Sequence, residues 1–440
     1  MIFSTRKKGL NIKSHKTTEG MSVMPMTLPE LVRIPMTQGK VPACRPAVQP
    51  KDKVFVGTLI GTCDEAGGVP VHSSVSGTVI SVEELPSQLD GSDLHVVIKT
   101  DGRQTRDESV KPPVIESGED LLKAARNCGL VGLGGSGVSA ETKMSPDKGK
   151  INTLIVNGTE CEPFVTSDHI NMNAYAREVA AGTLEIQKRL GIESGIIAAR
   201  EDDSAVPVLE ELCKSLENTR VETLPGFYPA GEETLLIREL CGLRLKEGSL
   251  PRDAGVLVLN VSTVIKLQQY LITGMPLVSR TITVDGDVLE RPMNLEVPIG
   301  TPVEEVLKFC GADFSAVRKI IAGGPMTGSA LPSASFHTIK TNNALLCFSA
   351  YRAERDRETA CINCGRCMES CPEGLMPALL FKAWRKRDEE TLKCGLLFSC
   401  TLCGCCSYVC PARKQLSFEL GLAQSWIKKN AKAEGGNDER

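Results

Sequence analysis

Cys361-Ile362-Asn363-Cys364-Gly365-Arg366-Cys367-Met368-Glu369-Ser370-Cys371-Pro372 and Cys400-Thr401-Leu402-Cys403-Gly404-Cys405-Cys406-Ser407-Tyr408-Val409-Cys410-Pro411 are one pattern written twice. Each run has three cysteines two residues apart, a fourth after three more residues, and then proline, the spacing that ligates [4Fe-4S] cubanes. Three such thiolates wrap three corners of one cubane. The fourth sits on the same short loop and cannot comfortably reach the remaining corner, so it serves the other cluster, and the proline turns the chain away. The expected pairing is therefore Cys361, Cys364, Cys367 and Cys410 on one cluster, with Cys400, Cys403, Cys406 and Cys371 on the other. Structural zinc is the competing reading, because Cys-x-x-Cys pairs make tetrahedral sites, but zinc has no preference for a doubled run of this kind. Cys405, beside a ligand, and Cys394, outside the motif, read as bystanders.

Working outward from the tail, ten of the 18 cysteines fall between Cys361 and Cys410, and eight are scattered upstream. A secreted disulfide scaffold would be short and would begin with a charged segment followed by an apolar one; here Met1-Ile2-Phe3-Ser4-Thr5-Arg6-Lys7-Lys8 leads into polar sequence. No stretch of about 18 uninterrupted apolar residues occurs, so no transmembrane segment is expected. A cytoplasmic location, with thiols reduced or metal-bound, follows as the expectation. At 440 residues the chain is too long for one ordinary core, and on the order of two to four domains are expected. Its 41% hydrophobic content fills such cores and excludes collagen-like, coiled-coil and disordered classes. With 51 Lys+Arg against 54 Asp+Glu, a net of -3, nothing draws it to nucleic acid.

The first 48 or so residues are rich in Lys, Pro and Thr with little periodicity, and read as an irregular arm. Residues 49–110 hold short β segments with turn residues between them, including Val69-Pro70-Val71-His72 and Gly77-Thr78-Val79-Ile80-Ser81-Val82. This is a small sandwich or barrel whose Ser76-Gly77-Thr78-Val79 turn is similar to lipoyl and biotinyl carriers. No lysine lies between Lys53 and Lys99, which favours a structural role over a swinging arm. Over 111–270 strands and helices alternate: a helix capped by Ser117 with Asp120 in its first turn, Ile151–Val156, an amphipathic run near 168–190, Gly195–Ala199, a helix near 208–216, and Gly255–Leu259. Alternation of this kind predicts an α/β domain with a largely parallel sheet. In 271–345, Thr281-Ile282-Thr283-Val284 meets the hairpin signal Asp285-Gly286, followed by a helix from Val303 to Phe309, a small α+β module. Residues 346–440 carry the cysteine runs, helices near 377–386 and 417–429, and a polar end.

Gly129-Leu130-Val131-Gly132-Leu133-Gly134-Gly135-Ser136-Gly137 follows a helix and precedes Lys143. Alone, a glycine-rich run is weak, because glycines also make ordinary turns. It has company in Asn157-Gly158-Thr159-Glu160-Cys161-Glu162-Pro163, Tyr228-Pro229-Ala230-Gly231-Glu232-Glu233-Thr234 and Asn260-Val261-Ser262-Thr263. In order, these resemble the flavin- and NADH-binding segments of the complex I flavoprotein subunit and its relatives, most fully those of the RnfC family, the NADH-side subunits of Rnf ferredoxin:NAD oxidoreductases. Gly323-Gly324-Pro325-Met326-Thr327-Gly328 and Pro372-Glu373-Gly374-Leu375-Met376-Pro377 extend the resemblance over nearly the whole chain.

The fold class so implied is multidomain α/β: an N-terminal β barrel-sandwich module, a Rossmann-like FMN domain, a β-grasp-like α+β module and a C-terminal ferredoxin-like dicluster domain. The resemblance implies FMN held by the backbone of Gly132, Gly134, Gly135 and Gly137, with Lys143 supplying positive charge. Asn157, Glu160, Tyr228, Gly231, Glu232, Asn260 and Thr263 match its other flavin contacts, and Glu162 and Glu233 match its NADH contacts. Acidic groups can accept from ribose hydroxyls, although any one of these carboxylates taken singly also reads as a helix cap or solvated turn. Where the family usually has Phe-Pro-Thr, this chain has Val138-Ser139-Ala140, which removes a stacking surface for nicotinamide or adenine. The five histidines, His15, His72, His95, His169 and His337, are isolated and read as structural.

The function implied is passage of electrons between NAD(H), FMN and two [4Fe-4S] clusters, in a complex whose membrane and ferredoxin-like subunits are the partners. Ferredoxin is reached indirectly, and the protein sits peripherally on the cytoplasmic face of the cell membrane. The alternative within the same superfamily is a soluble flavin/iron-sulfur reductase, serving cobalamin in a microcompartment or partnering an amino-acid reductase. A further alternative is a relay subunit with clusters and no flavin.

Overall fold

The computed structural model describes residues 9–89, 91–145, 150–354 and 357–435, the last four by backbone alone. The chain divides into two compact units: Ser14–Pro225 with Arg252–Ala353, and Met1–Lys13 with Gly226–Pro251 and Glu354–Arg440.

In the larger unit, the front module has a four-stranded antiparallel sheet in the order Leu31–Pro35, Ser92–Thr100, Gly77–Pro86, Lys53–Val54, and a three-stranded sheet of Arg45–Pro46, Leu59–Thr62 and Val71–His72. Gly77 does not sit in a turn. It opens a ten-residue strand opposite Thr100, where a Cβ would stand 2.1 Å from the Lys99 carbonyl. The supposed irregular arm supplies strands as well: Leu31–Pro35 pairs with Ser92–Thr100, and Val23–Pro25 lies parallel to Met293–Pro298. Val32 and Ile34 alternate into the core with no exposed surface, a period of two confined to five residues and hidden by the prolines around it. Residues 1–8 of that arm and the polar end after residue 435 lie outside the described residues.

The α/β layer follows. Ser117 Oγ accepts from Asp120 N at 3.2 Å while Asp120 Oδ2 accepts from Ser117 N at 2.9 Å, a reciprocal cap on Gly118–Asn127 worth about 1 kcal/mol. Four strands run parallel in the order Thr219–Leu224, Ser194–Arg200, Thr153–Asn157, Val256–Asn260. Leu154, Ile155 and Val156 are wholly buried, as a strand covered on both faces requires. The amphipathic run near 168–190 is two helices, Ser167–Ala174 and Ala176–Leu190, separated at Tyr175. One hydrophobic core runs from Val32 and Ile98 of the front module to Leu154 and Val264 of this layer.

The α+β module forms a six-stranded sheet in the order Val23–Pro25, Met293–Pro298, Ser279–Asp285, Ala344–Ser349, Val317–Ala322, Ser329–Leu331, with the helix Val303–Phe309. The hairpin expected at Asp285-Gly286 exists, but its connection spans residues 286–292, between Asp285 and Met293. Gly286 (φ +142°) is needed instead for close approach: a Cβ would lie 1.8 Å from the Cys347 carbonyl.

In the smaller unit, Leu10 and Tyr228 exchange backbone hydrogen bonds at 2.7 and 2.8 Å. The tail folds as helices Arg366–Glu369, Pro377–Lys386, Glu389–Cys394, Cys405–Tyr408 and Leu416–Gly435 around Leu380, Trp384, Leu392, Leu397, Leu420 and Ile427. Its two cysteine runs repeat in the backbone as in the sequence. Asn363, Gly365 and Gly374 have φ of +55°, +78° and +72°, and the matching Leu402, Gly404 and Arg413 have +58°, +81° and +56°. Among the described residues no helix is long and apolar enough to cross a membrane.

Candidate functional site

The glycine loop leaves the helix Gly118–Asn127 at Gly129 (φ +68°), whose carbonyl accepts from Lys340 Nζ at 2.7 Å. Lys340 is 1% exposed and also donates to the Pro70 carbonyl at 3.0 Å; burial pushes its ammonium down to about 8. Further on, Gly132 N donates to Val138 O at 2.8 Å and Gly137 N to Gly132 O at 3.1 Å, closing the loop on itself. Leu133 is held on both sides: its N–H donates to Thr263 Oγ1 at 3.0 Å, and its carbonyl accepts from Arg280 Nη2 at 3.0 Å. Gly134 packs against Asn260, whose Nδ2 would be 3.0 Å from a Cβ there. Gly135, with φ of +95°, faces open space. Lys143 is half-buried in the last turn of Ala140–Met144, capped by Ser139.

Two strand ends meet behind this loop. Asn260 caps the thirteen-residue helix Val261–Thr273, its Oδ1 accepting from Ser262 N at 2.9 Å, and its Nδ2 donates to Asp168 at 2.6 Å. Ser262 Oγ donates to the other Asp168 oxygen at 2.6 Å. Burial first, and then the neighbouring Glu160 charge, push the Asp168 carboxyl up to about 6. Burial brings the nearby Arg280 guanidinium down to about 10. Asn157 Oδ1 accepts from Thr159 N at 3.0 Å. Glu160 accepts from Asp168 N at 3.1 Å and His169 N at 3.2 Å, so its carboxylate sits at the start of Ser167–Ala174. Glu162 is turned onto the Gly323–Gly328 loop, accepting from Met326 N at 3.0 Å, Thr327 N at 2.9 Å and Thr327 Oγ1 at 2.5 Å. Burial raises its pKa despite those donors. Burial takes His72 and His337 down to about 3, and His15 stacks on Phe164.

The smaller unit carries the remaining residues. Glu232 caps Glu233–Cys241, accepting from Thr234 N at 3.0 Å and Leu235 N at 3.1 Å, and burial raises its pKa. Gly231 precedes that cap and Glu233 is the first helical residue. Tyr228, 3% exposed, donates its hydroxyl to the Cys403 carbonyl at 2.6 Å. A segment singled out for flavin and a loop singled out for iron-sulfur ligation are thus in direct contact.

Cys371, Cys400, Cys403 and Cys406, the four expected to share a cluster, line one pocket together with Thr401 and Cys405. Among the described residues no group of three or more His, Cys, Asp or Glu is placed to hold a metal ion. Cys371 comes from the first run and the other three from the second. Burial pushes Cys400 up to about 12 and raises Cys371 and Cys406; a ligating thiol must give up its proton. Cys403 is brought down to about 7, first by the neighbouring Cys405 thiol. In the second set, Cys364 is exposed, while Cys361, Cys367 and Cys410 are half-buried. Cys367 is raised first by burial and also by the nearby Cys410, the partner expected from the other run.

These residues fit the cofactors implied. The pocket walled by four cysteines suits a cubane, and a glycine loop laid against a helix N-terminus suits a phosphate. In the Asn157–Glu162 segment, Thr159 Oγ1 is buried with no hydrogen-bond partner among the described residues.

Family profiles divide the chain along the same lines: RnfC barrel sandwich hybrid domain at residues 4–103, Nuo51 FMN-binding domain at 125–269, SLBB domain at 281–330 and 4Fe-4S dicluster domain at 360–414. The chain is 38% identical over 357 residues to the C component of the Na(+)-translocating ferredoxin:NAD(+) oxidoreductase complex of Acetobacterium woodii, covering 79% of this chain and 80% of that one. It belongs to the RnfC family. The Clostridium ljungdahlii member, named as the C component of a proton-translocating ferredoxin:NAD(+) oxidoreductase complex, is 33% identical over 83% of this chain and 81% of its own. The Serratia proteamaculans member, the C component of an ion-translocating oxidoreductase complex, is 31% identical over 87% of this chain, which spans only 55% of its length.

Four residues, three of the larger unit and one of the smaller, escape a reading of the sequence alone. Arg280 and Lys340 reach the glycine loop from the far end of the larger unit, and nothing local announces them. Asp168 lies within a segment whose pattern signals only an amphipathic helix. Thr401 becomes legible when the two cysteine runs are compared position by position, because it stands where the first has Ile362.

Proposed function

We propose that this chain is the NAD(H)- and FMN-binding electron-transfer subunit of a membrane-associated Rnf-type ferredoxin:NAD oxidoreductase coupled to cation transport. The observation that carries the reading is the hydrogen bond from Tyr228 to the Cys403 carbonyl, which joins a flavin-type segment to a cluster-binding loop. The backbone of Gly132, Gly134, Gly135 and Gly137 and the helix end capped by Asn260 hold the FMN phosphate, with Lys143 adding positive charge. Asn157, Glu160, Tyr228, Gly231, Glu232 and Thr263 orient the rest of the flavin, while Glu162 and Glu233 accept from NADH hydroxyls.

When bound, FMN exchanges two electrons with a nicotinamide and one at a time with iron-sulfur clusters, so one chain needs both kinds of cofactor. The protein's own work is positional. Thr263 and Arg280 fix Leu133 from either side, so the loop is shaped before anything binds, and Glu160 and Glu232 hold helix starts in place. No general base is required. The cysteines hold two [4Fe-4S] clusters, Cys361, Cys364, Cys367 and Cys410 one, Cys400, Cys403, Cys406 and Cys371 the other. The membrane and ferredoxin-like subunits of the complex are the partners, ferredoxin is reached through them, and the protein lies peripherally on the cytoplasmic face.

A soluble reductase for cobalamin or for an amino-acid reductase is not favoured, because the relatives matched over four-fifths of their own length are complex subunits. Anaerobically purified protein should show flavin peaks over broad iron-sulfur absorbance, and NADH should bleach both. Bleaching by dithionite but not by NADH would remove the NADH assignment.

A further inference from the structure

The two cysteine runs share a backbone but differ in what they place beside the sulfurs. After the first cysteine the first run has Ile362, apolar and 67% exposed; the second has Thr401. Thr401 lines the pocket formed by Cys371, Cys400, Cys403 and Cys406. Its Oγ1 is buried, has no hydrogen-bond partner of ordinary geometry among the described residues, and lies beside the Cys403 thiol. A buried hydroxyl left unpaired is costly, and such groups in native structures have an explanation. Here the wall it occupies faces a space ringed by sulfur ligands. Sulfur is an acceptor, and hydrogen bonds to cluster sulfurs favour the reduced, more negative state and so raise the reduction potential.

We propose that the Thr401 hydroxyl donates a hydrogen bond to a sulfur of the [4Fe-4S] cluster held by Cys371, Cys400, Cys403 and Cys406, and so sets that cluster's potential apart from its partner's. The inference rests on the cluster reading of this pocket. Ile362 has no proton to give, so the same substitution in the first run is silent.

The test is a redox titration followed by electron paramagnetic resonance on anaerobic full-length protein, comparing Thr401→Val, Thr401→Ser and Ile362→Val. Thr401→Val keeps the shape and removes the donor; it should shift one cluster's reduction equilibrium about tenfold toward the oxidised form, which is about 59 mV for a one-electron couple. Thr401→Ser should restore most of that shift, and Ile362→Val should leave both potentials in place. Loss of the cluster in Thr401→Val but not in Thr401→Ser also counts for the donor. Equal potentials in wild type and loaded Thr401→Val overturn the proposal, as does equal loss of the cluster from both Thr401 variants. If wild type itself lacks the iron and sulfide of two clusters, it is the cluster reading that fails.

Discussion

Lys340 makes a measurable claim about how the glycine loop is held. Its ammonium, 1% exposed, donates to Gly129 O at 2.7 Å and Pro70 O at 3.0 Å, tying the start of the loop to the front module. Burial dominates its pKa, bringing it from 10.5 to about 8, while the neighbouring thiols Cys128 and Cys44 oppose that fall. His72, also close by, is held neutral by burial and by Lys340. A basic group whose folded pKa is lowered binds fewer protons folded than unfolded between pH 8 and 10.5, so its contribution to stability rises with pH over that window. At 1.36 kcal/mol per pH unit, the full rise is about 3 kcal/mol. Buried thiols work the other way above pH 9: Cys44 is raised to about 11 and Cys128 to about 12, so a single pH profile mixes both. The difference between wild type and Lys340→Met separates them. Denaturant midpoints measured under reducing conditions from about pH 7.5 to 10.5 should show wild type gaining about 3 kcal/mol relative to the variant. Parallel profiles would refute a buried lysine at this position.

Other perturbations address the loop, the link to the clusters and the crossed ligation. Thr263→Val leaves the Leu133 N–H buried and unpaired, which costs about 1–3 kcal/mol; FMN titration by fluorescence quenching should show weaker binding, and unchanged affinity counts against the clamp. Tyr228→Phe keeps the ring and loses the bond to Cys403, so thermal unfolding should register a loss of about 0.5–1.5 kcal/mol with both clusters still loaded; an unaltered melting curve contradicts it. Cys371→Ala should abolish the same paramagnetic signal as Cys400→Ala, and Cys410→Ala the same signal as Cys361→Ala. Pairing by run, with Cys371 grouped with Cys361, would show ligation to be uncrossed.

What the sequence made legible was local. The cysteine runs, the Ser117 cap and the helices Val303–Phe309 and Pro377–Lys386 are set by residues within a few positions of one another. The strand Leu31–Pro35 escaped because five residues give alternation little room, whereas Asp285-Gly286 signalled a hairpin that is present, although the length of its connection and the close approach of Gly286 to Cys347 were not legible. The carboxylates divide in the same way. That Glu232 caps a helix follows from its neighbours, whereas Glu162 reaching Met326 and Thr327 depends on a chain 164 residues away. Arg280 and Lys340 belong with the second kind.

That separation has a consequence for biosynthesis. The carbonyl of Gly129 waits for a side chain 211 residues later, so at 5–20 residues per second the ribosome polymerises Gly129 roughly 10–40 s before Lys340. The loop therefore matures late, after the α+β module that brings Arg280 has left the exit tunnel, and a nascent chain cut short before residue 340 would carry every glycine of the loop and still lack its finished form.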